Sequence, residues 1–108
     1  MAKIINISDK LSSEKPSIQV EDKLYKVNDS LETVMKFEEV YSDSGDTQGM
    51  LECMKIAIGE KAYKELKFEK MSFKNIQVWF FAIMAAMQDI SYEDIESRFR
   101  QFNPAANN

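Results

Sequence analysis

Apolar positions along this chain change their spacing about a third of the way in. Residues 3–7, Lys-Ile-Ile-Asn-Ile, are a short β-branched run, and residues 11–16 are a polar break containing Ser12, Ser13 and Pro16. Residues 17–20 and 24–27 then bracket the polar turn Glu21-Asp22-Lys23. This predicts a β-hairpin over residues 17–28 with Ile18 and Val20 on its apolar face, and makes residues 3–7 a candidate third strand. A lone hairpin is marginal in water and needs a helix to cover it.

From residue 28 onward the spacing is helical. Asn28, Asp29 and Ser30 are capable N-caps, after which Leu31, Val34, Met35, Phe37 and Tyr41 recur on one stripe. Ser42-Asp43-Ser44-Gly45 ends that helix, with Gly45 suited to a positive φ and Asp46 placed to cap the next. Met50, Cys53, Met54, Ala57 and Ile58 form a second stripe ending near Gly59, and Ala62, Tyr63, Leu66 and Phe68 mark a shorter third helix over residues 60–68. Ser72 caps a fourth helix that runs to about Asp89, its core stripe being Ile76, Trp79, Phe80, Ile83, Met87 and Ile90. Ser91 opens a fifth, with Glu93 and Asp94 at its positive start. Its stripe is Tyr92, Ile95, Phe99 and Phe102, and Asp94 with Arg98 and Glu96 with Arg100 are i, i+4 pairs for a solvated side. The predicted class is α+β, mostly α. One domain spans residues 1–108: an N-terminal strand or linker (1–16), a hairpin (17–28) packed on a bundle of four to five short helices (29–102), and a flexible tail (103–108).

The fourth helix raises the functional question. Residues 78–87, Val-Trp-Phe-Phe-Ala-Ile-Met-Ala-Ala-Met, carry no charge in a chain that is 30% charged. They are too few to cross a bilayer, which takes about 20 apolar residues. Beyond the core stripe, the helix presents a second apolar side of Val78, Phe81, Ala82 and Ala85, flanked by Met84. Either this side is internal, covered by the other elements, or it is a contact surface for a partner helix, joined by Tyr92 and Phe99. Burying a phenylalanine contributes about 1.5–3 kcal/mol in either case, so energy alone leaves both open.

Composition narrows the chemistry. The chain of 108 residues has a formal charge of −4, a pI near 4.9 and scattered basic residues, which disfavours nucleic acid as a partner. There is no histidine, which removes imidazole-based nucleophile systems, proton shuttles and metal sites. Three glycines, none in a phosphate-cradling pattern, exclude recognisable nucleotide loops. Asp43-Ser44-Gly45-Asp46 lacks the alternating carboxylates and closing glutamate of a calcium loop and reads as a turn followed by a cap. The single cysteine, Cys53, lies on an apolar stripe and reads as a small core hydrophobe. Glu93, Asp94 and Glu96 read as an exposed first helical turn, with no cleft to separate their pKa values. The start of the chain lacks a signal-peptide pattern and the lone cysteine cannot form an internal disulfide, which predicts a cytosolic protein. The composition and motifs predict no cofactor, metal or nucleic-acid partner and no enzymatic activity, and the short apolar run predicts no membrane partner.

Several segments add a family resemblance. Leu24-Tyr25-Lys26-Val27-Asn28 leading into the first helix, Ile58-Gly59-Glu60-Lys61-Ala62-Tyr63-Lys64-Glu65-Leu66, Phe80-Phe81-Ala82-Ile83-Met84-Ala85-Ala86-Met87 and Ser91-Tyr92-Glu93-Asp94-Ile95-Glu96 resemble the small tail assembly chaperones of long-tailed bacteriophages and prophages of Gram-positive bacteria. The resemblance covers residues 17–102. It implies a non-catalytic protein of the host cytoplasm that coats the long, helical tape measure protein until tail tube subunits polymerise around it. It also implies self-association, contact with the tail tube protein, absence from the mature virion, and in many relatives a longer frameshifted form. The alternative is a structural tail or head-tail connector component, or a small self-assembling phage adaptor.

Overall fold

The computed structural model describes residues 2–44 and 46–102; Gly45 and the tail expected at residues 103–108 lie outside the described residues. Among the described residues the order is β1 (Ser17–Val20), β2 (Lys23–Lys26), α1 (Leu31–Ser44), α2 (Thr47–Ile58), α3 (Glu60–Leu66), α4 (Phe73–Gln88) and α5 (Tyr92–Phe102), with short 3-10 turns at Ser8–Lys10 and Phe68–Lys70. The fold is therefore α+β and mostly α, an antiparallel hairpin followed by five helices.

The predicted caps act at four helix starts, the Ser30 hydroxyl accepting the Thr33 N–H at 3.3 Å ahead of α1. The Asp46 carboxylate accepts the Gly49 N–H at 2.9 Å, the Ser72 hydroxyl accepts the Asn75 N–H at 3.2 Å and the Ser91 hydroxyl accepts the Asp94 N–H at 3.1 Å. Gly59 separates α2 from α3 at φ 89°, a left-handed value that glycine adopts without strain. Helix α3 stops at Leu66, short of the expected Phe68, because Lys67 turns the chain through φ 52°. Asp89 ends α4 in a Schellman arrangement: it sits at φ 56°, ψ 47°, donates to Ala86, and the next N–H, from Ile90, reaches back to Ala85 at 3.1 Å.

Helix α4 is the axis of the core, and its adjacent residues Trp79 and Phe80 divide the packing in two. On one side the Trp79 ring meets Tyr25 of the hairpin and Phe68, each edge-on at 5.5 Å, and Phe68 in turn meets Tyr63. On the other, Phe80 stacks on Phe37 at 5.6 Å and contacts Tyr41 and Phe99. Such geometries contribute about 0.5–1.5 kcal/mol beyond burial alone. Ile83, Met54, Ala57 and Val27 close the centre. The hairpin is fixed by Ile18 and Tyr25, paired across the strands and packed on this core, by the Val27 N–H on the Pro16 carbonyl and by the Asn28 N–H on the Ala57 carbonyl. An ion pair from Lys23 to Glu65 links its tip to α3.

Three expectations are corrected. Residues 3–7 form no strand, so among the described residues the sheet has two strands; the β-branched run finds no edge to pair with and leads into the 3-10 turn. On α1, Leu31 and Met35 are 75% and 60% exposed, whereas Phe37 is buried and Val34, Val40 and Tyr41 are partly so. Leu31 and Met35 share a face whose centre lies about 130° round the helix from that of the buried stripe, and the helix turns the latter inward because it contains both aromatic residues. Val20 shares the Ile18 face but lies at the exposed turn and stays largely in solvent.

Candidate functional site

The seven residues expected to form a partner surface differ in exposure. Val78 is 44% exposed and Ala85 only 6% exposed, so Ala85 is enclosed by the chain itself. Phe81, Ala82, Met84, Tyr92 and Phe99 are partly buried. Helix α5 lies over the second side of α4: the Phe81 ring packs 4.6 Å from Phe99 and 6.1 Å from Tyr92. Phe81 is thus the seat of α5, and of the two sequence-level possibilities for this side the internal one describes most of it. The buried Ile95 belongs to the same junction, and the Arg98 guanidinium reaches back to donate to the Gln88 side-chain oxygen at 3.1 Å. The expected Glu96–Arg100 pair involves a side chain outside the described residues.

What remains open lies where α5 meets α4 from one flank and α1 from the other. One hollow of about 220 Å³ is lined by Val34, Phe37, Tyr41, Met84, Met87 and Gln88, with Glu38 and Ser42 at its rim. A second, of about 320 Å³, is lined by Tyr41, Met84, Gln88, Ile95, Arg98 and Phe99. The two share Tyr41, Met84 and Gln88 in their linings and so lie side by side, as the two halves of a groove. Helical spacing builds it: Phe37 and Tyr41 are one turn apart on α1, as are Met84 and Gln88 on α4, with Met87 beside them. Its lining is mostly apolar, with Gln88 between the two hollows and Glu38, Ser42 and Arg98 exposed to solvent. Two methionines, flexible and polarizable, let that lining adapt to different occupants.

Of the expected contact residues, Met84 and Phe99 line this groove. Val34, Phe37, Tyr41, Met87 and Ile95 were assigned to core stripes by periodicity and line it as well, because each stripe is wider than the neighbour covering it. Gln88 and Arg98 carried no signal beyond their place at the helix ends.

Cys53 is fully buried, and its thiol donates to the Phe37 carbonyl at 3.3 Å. Burial, with a smaller contribution from the nearby Glu52 carboxylate, pushes the thiol up to about 11. It is neutral at physiological pH and out of reach of a substrate. Among the described residues the buried positions are all apolar, no group of His, Cys, Asp and Glu is arranged to hold a metal ion, and no helix is long and apolar enough to cross a membrane. Comparison with protein-family models, with curated proteins and with solved structures finds no match to this chain.

Proposed function

We propose that this chain is a tail assembly chaperone of a long-tailed phage or prophage, which holds amphipathic helices of the tape measure protein in the groove between α1, α4 and α5. The observation that carries this reading is the pair of adjoining hollows that share Tyr41, Met84 and Gln88 and are lined mostly by apolar side chains. A helix laid in such a groove inserts anchors at i, i+3 or i+4, and i+7 and leaves its polar face in water. Methionine on the floor suits a client whose successive segments differ in sequence. The resemblance over residues 17–102 supplies the identity of the client; the groove supplies a place for it. The role is non-catalytic, and the acidic balance of −4 keeps the carrier soluble while its apolar surface is in use.

The partner residues follow the groove rather than the original patch. Met84 and Phe99 stay in the proposal and are joined by Val34, Tyr41 and Met87, while Phe81 and Tyr92 serve the α4–α5 junction, Ala85 is buried, and Val78 and Ala82 lie outside the groove. The test is coexpression of a tape measure fragment with the wild type and with Met84→Glu, the fold of the variant being checked by circular dichroism. The wild type is expected to keep the fragment soluble and to copurify with it, and the variant to lose most of that yield. A folded Met84→Glu protein that solubilises the fragment equally well rejects the groove. Stoichiometric presence of the chain in purified virions rejects the chaperone role in favour of a structural tail component.

A further inference from the structure

One apolar segment of the chain has no place in the fold. Ile4, Ile5, Ile7 and Leu11 are 91%, 72%, 52% and 69% exposed, a concentration of bare aliphatic side chains unmatched elsewhere among the described residues. The hydrogen bonds around it are local: Ser8 donates through its N–H and its hydroxyl to the Asn6 side-chain oxygen, and the Lys10 N–H to the Ile7 carbonyl. Residues 12–16 attach this arm to the domain beside Asp29, Ala86 and Asp89. A run of aliphatic residues held in water is unfavourable, and it marks a contact made with something else.

We propose that residues 2–11 dock in the α1–α4–α5 groove of a second copy of this chain. Three observations select that occupant. The groove is apolar and open, and Ile5, Ile7 and Leu11 are the kind of side chain its floor accepts. The charges can pair: the arm carries Lys3, Lys10 and Asp9, and the lining offers Glu38 on α1 and Arg98 on α5. The third is position. At about 100° per residue, Ala86, beside which the arm is attached, projects about 160° round α4 from Met84 and about 100° from Met87. The arm therefore leaves on the side of α4 turned away from the groove, and Ile4 near its outer end is the most exposed large apolar residue among those described. Donor and acceptor on different faces make a heterologous, head-to-tail contact, in which each copy gives an arm to one neighbour and takes one from another. Because arm and client use the same groove, the proposal rests on the groove of the preceding section, and a docked arm would cover it until a client displaces it.

The test uses the full chain without client, so that it can fail separately from the chaperone reading. Light scattering after gel filtration is expected to show concentration-dependent association of the wild type, and monomers for the arm variant Ile5→Asp/Ile7→Asp and for the groove variant Met84→Glu. Mixing the two variants is expected to restore a dimer and nothing larger, since the mixture contains only intact arms on one variant and intact grooves on the other. Because Met84→Glu puts a charge at a partly buried position, the synthetic peptide of residues 2–11 provides a second test: it is expected to bind the arm variant saturably, to shift the Met84 and Met87 methyl signals, and to bind at least tenfold more weakly when Ile5 and Ile7 are replaced by Asp. Association of the arm variant equal to that of the wild type, or a peptide that fails to bind, overturns the proposal. A monomeric wild type whose Met84 signal depends on its own arm overturns it also, by placing the arm in its own groove.

Discussion

Removing the rings of Phe81 and Phe99, singly and together, tests whether α5 is fastened to α4 by their contact. The centroids are 4.6 Å apart with planes tilted by 39°. A fully buried Phe→Ala change costs about 3–5 kcal/mol. Both rings are partly buried, so each single change should cost roughly half that, about 1.5–2.5 kcal/mol. An aromatic pair adds about 0.5–1.5 kcal/mol beyond the area it covers, and this part is lost only once in the double variant. Phe81 keeps its neighbour Tyr92, and Phe99 its neighbour Phe80, which favours the lower half of that range. Urea unfolding of the four proteins should therefore give a coupling energy of about 0.5–1 kcal/mol. Amide hydrogen exchange should accelerate throughout α5 in each single variant while α2 stays protected. Additivity within about 0.3 kcal/mol, with α5 exchange unchanged, would refute the view that Phe81 seats this helix. Undiminished stability of Phe81→Ala together with lost client binding would restore Phe81 to an open partner surface.

Other predictions follow from burial and backbone geometry. Leu31→Lys and Met35→Lys should each change stability by no more than about 0.5 kcal/mol, whereas Phe37→Ala should lose about 3–5 kcal/mol, a contrast that thermal unfolding resolves. Asp89→Gly should raise stability by up to about 1 kcal/mol, since a left-handed residue other than glycine costs about 1–2 kcal/mol and glycine's greater freedom when unfolded offsets part of the relief; calorimetry of the two proteins checks this. Cys53 should resist thiol reagents at pH 8 unless denaturant is added. Its thiol is raised to about 11 in the fold, so its contribution to stability is fully present below the ordinary thiol range and is lost as pH rises toward 11. Cys53→Ala should remove that alkaline dependence, as seen in unfolding curves at pH 8 and pH 10.5.

Much of the fold was legible because it depends on neighbours along the chain. Asp46, Ser72 and Ser91 cap the helices they precede, and α2 and α4 bury the stripes their spacing marks, because a cap and a stripe are properties of one helix. The orientation of α1 was less legible. Leu31 and Met35 fit an apolar period as well as Val34 and Tyr41 do, and only the position of Phe80 on another helix decides which set turns inward. Residues 3–7 had the composition of a strand but no partner edge, which is a tertiary requirement. The groove was harder still to foresee. Its walls come from three helices, and the gap between them depends on where α5 settles, so Tyr41 and Met87 look like core residues in any one helix projection. Phe81 was rightly singled out as unusual, but its partner proved to be Phe99 of the same chain.

The central claim concerns where a helical client binds, and the methionines offer a direct readout of it. With methyl-labelled methionine in the full chain, a soluble tape measure fragment can be titrated in while the methyl signals are followed. The account predicts saturable shifts at Met84 and Met87 on the groove floor, with Met54 buried in α2 and Met35 on the outward face of α1 unchanged. Binding of the fragment that moves Met35 and leaves Met84 and Met87 in place would contradict it.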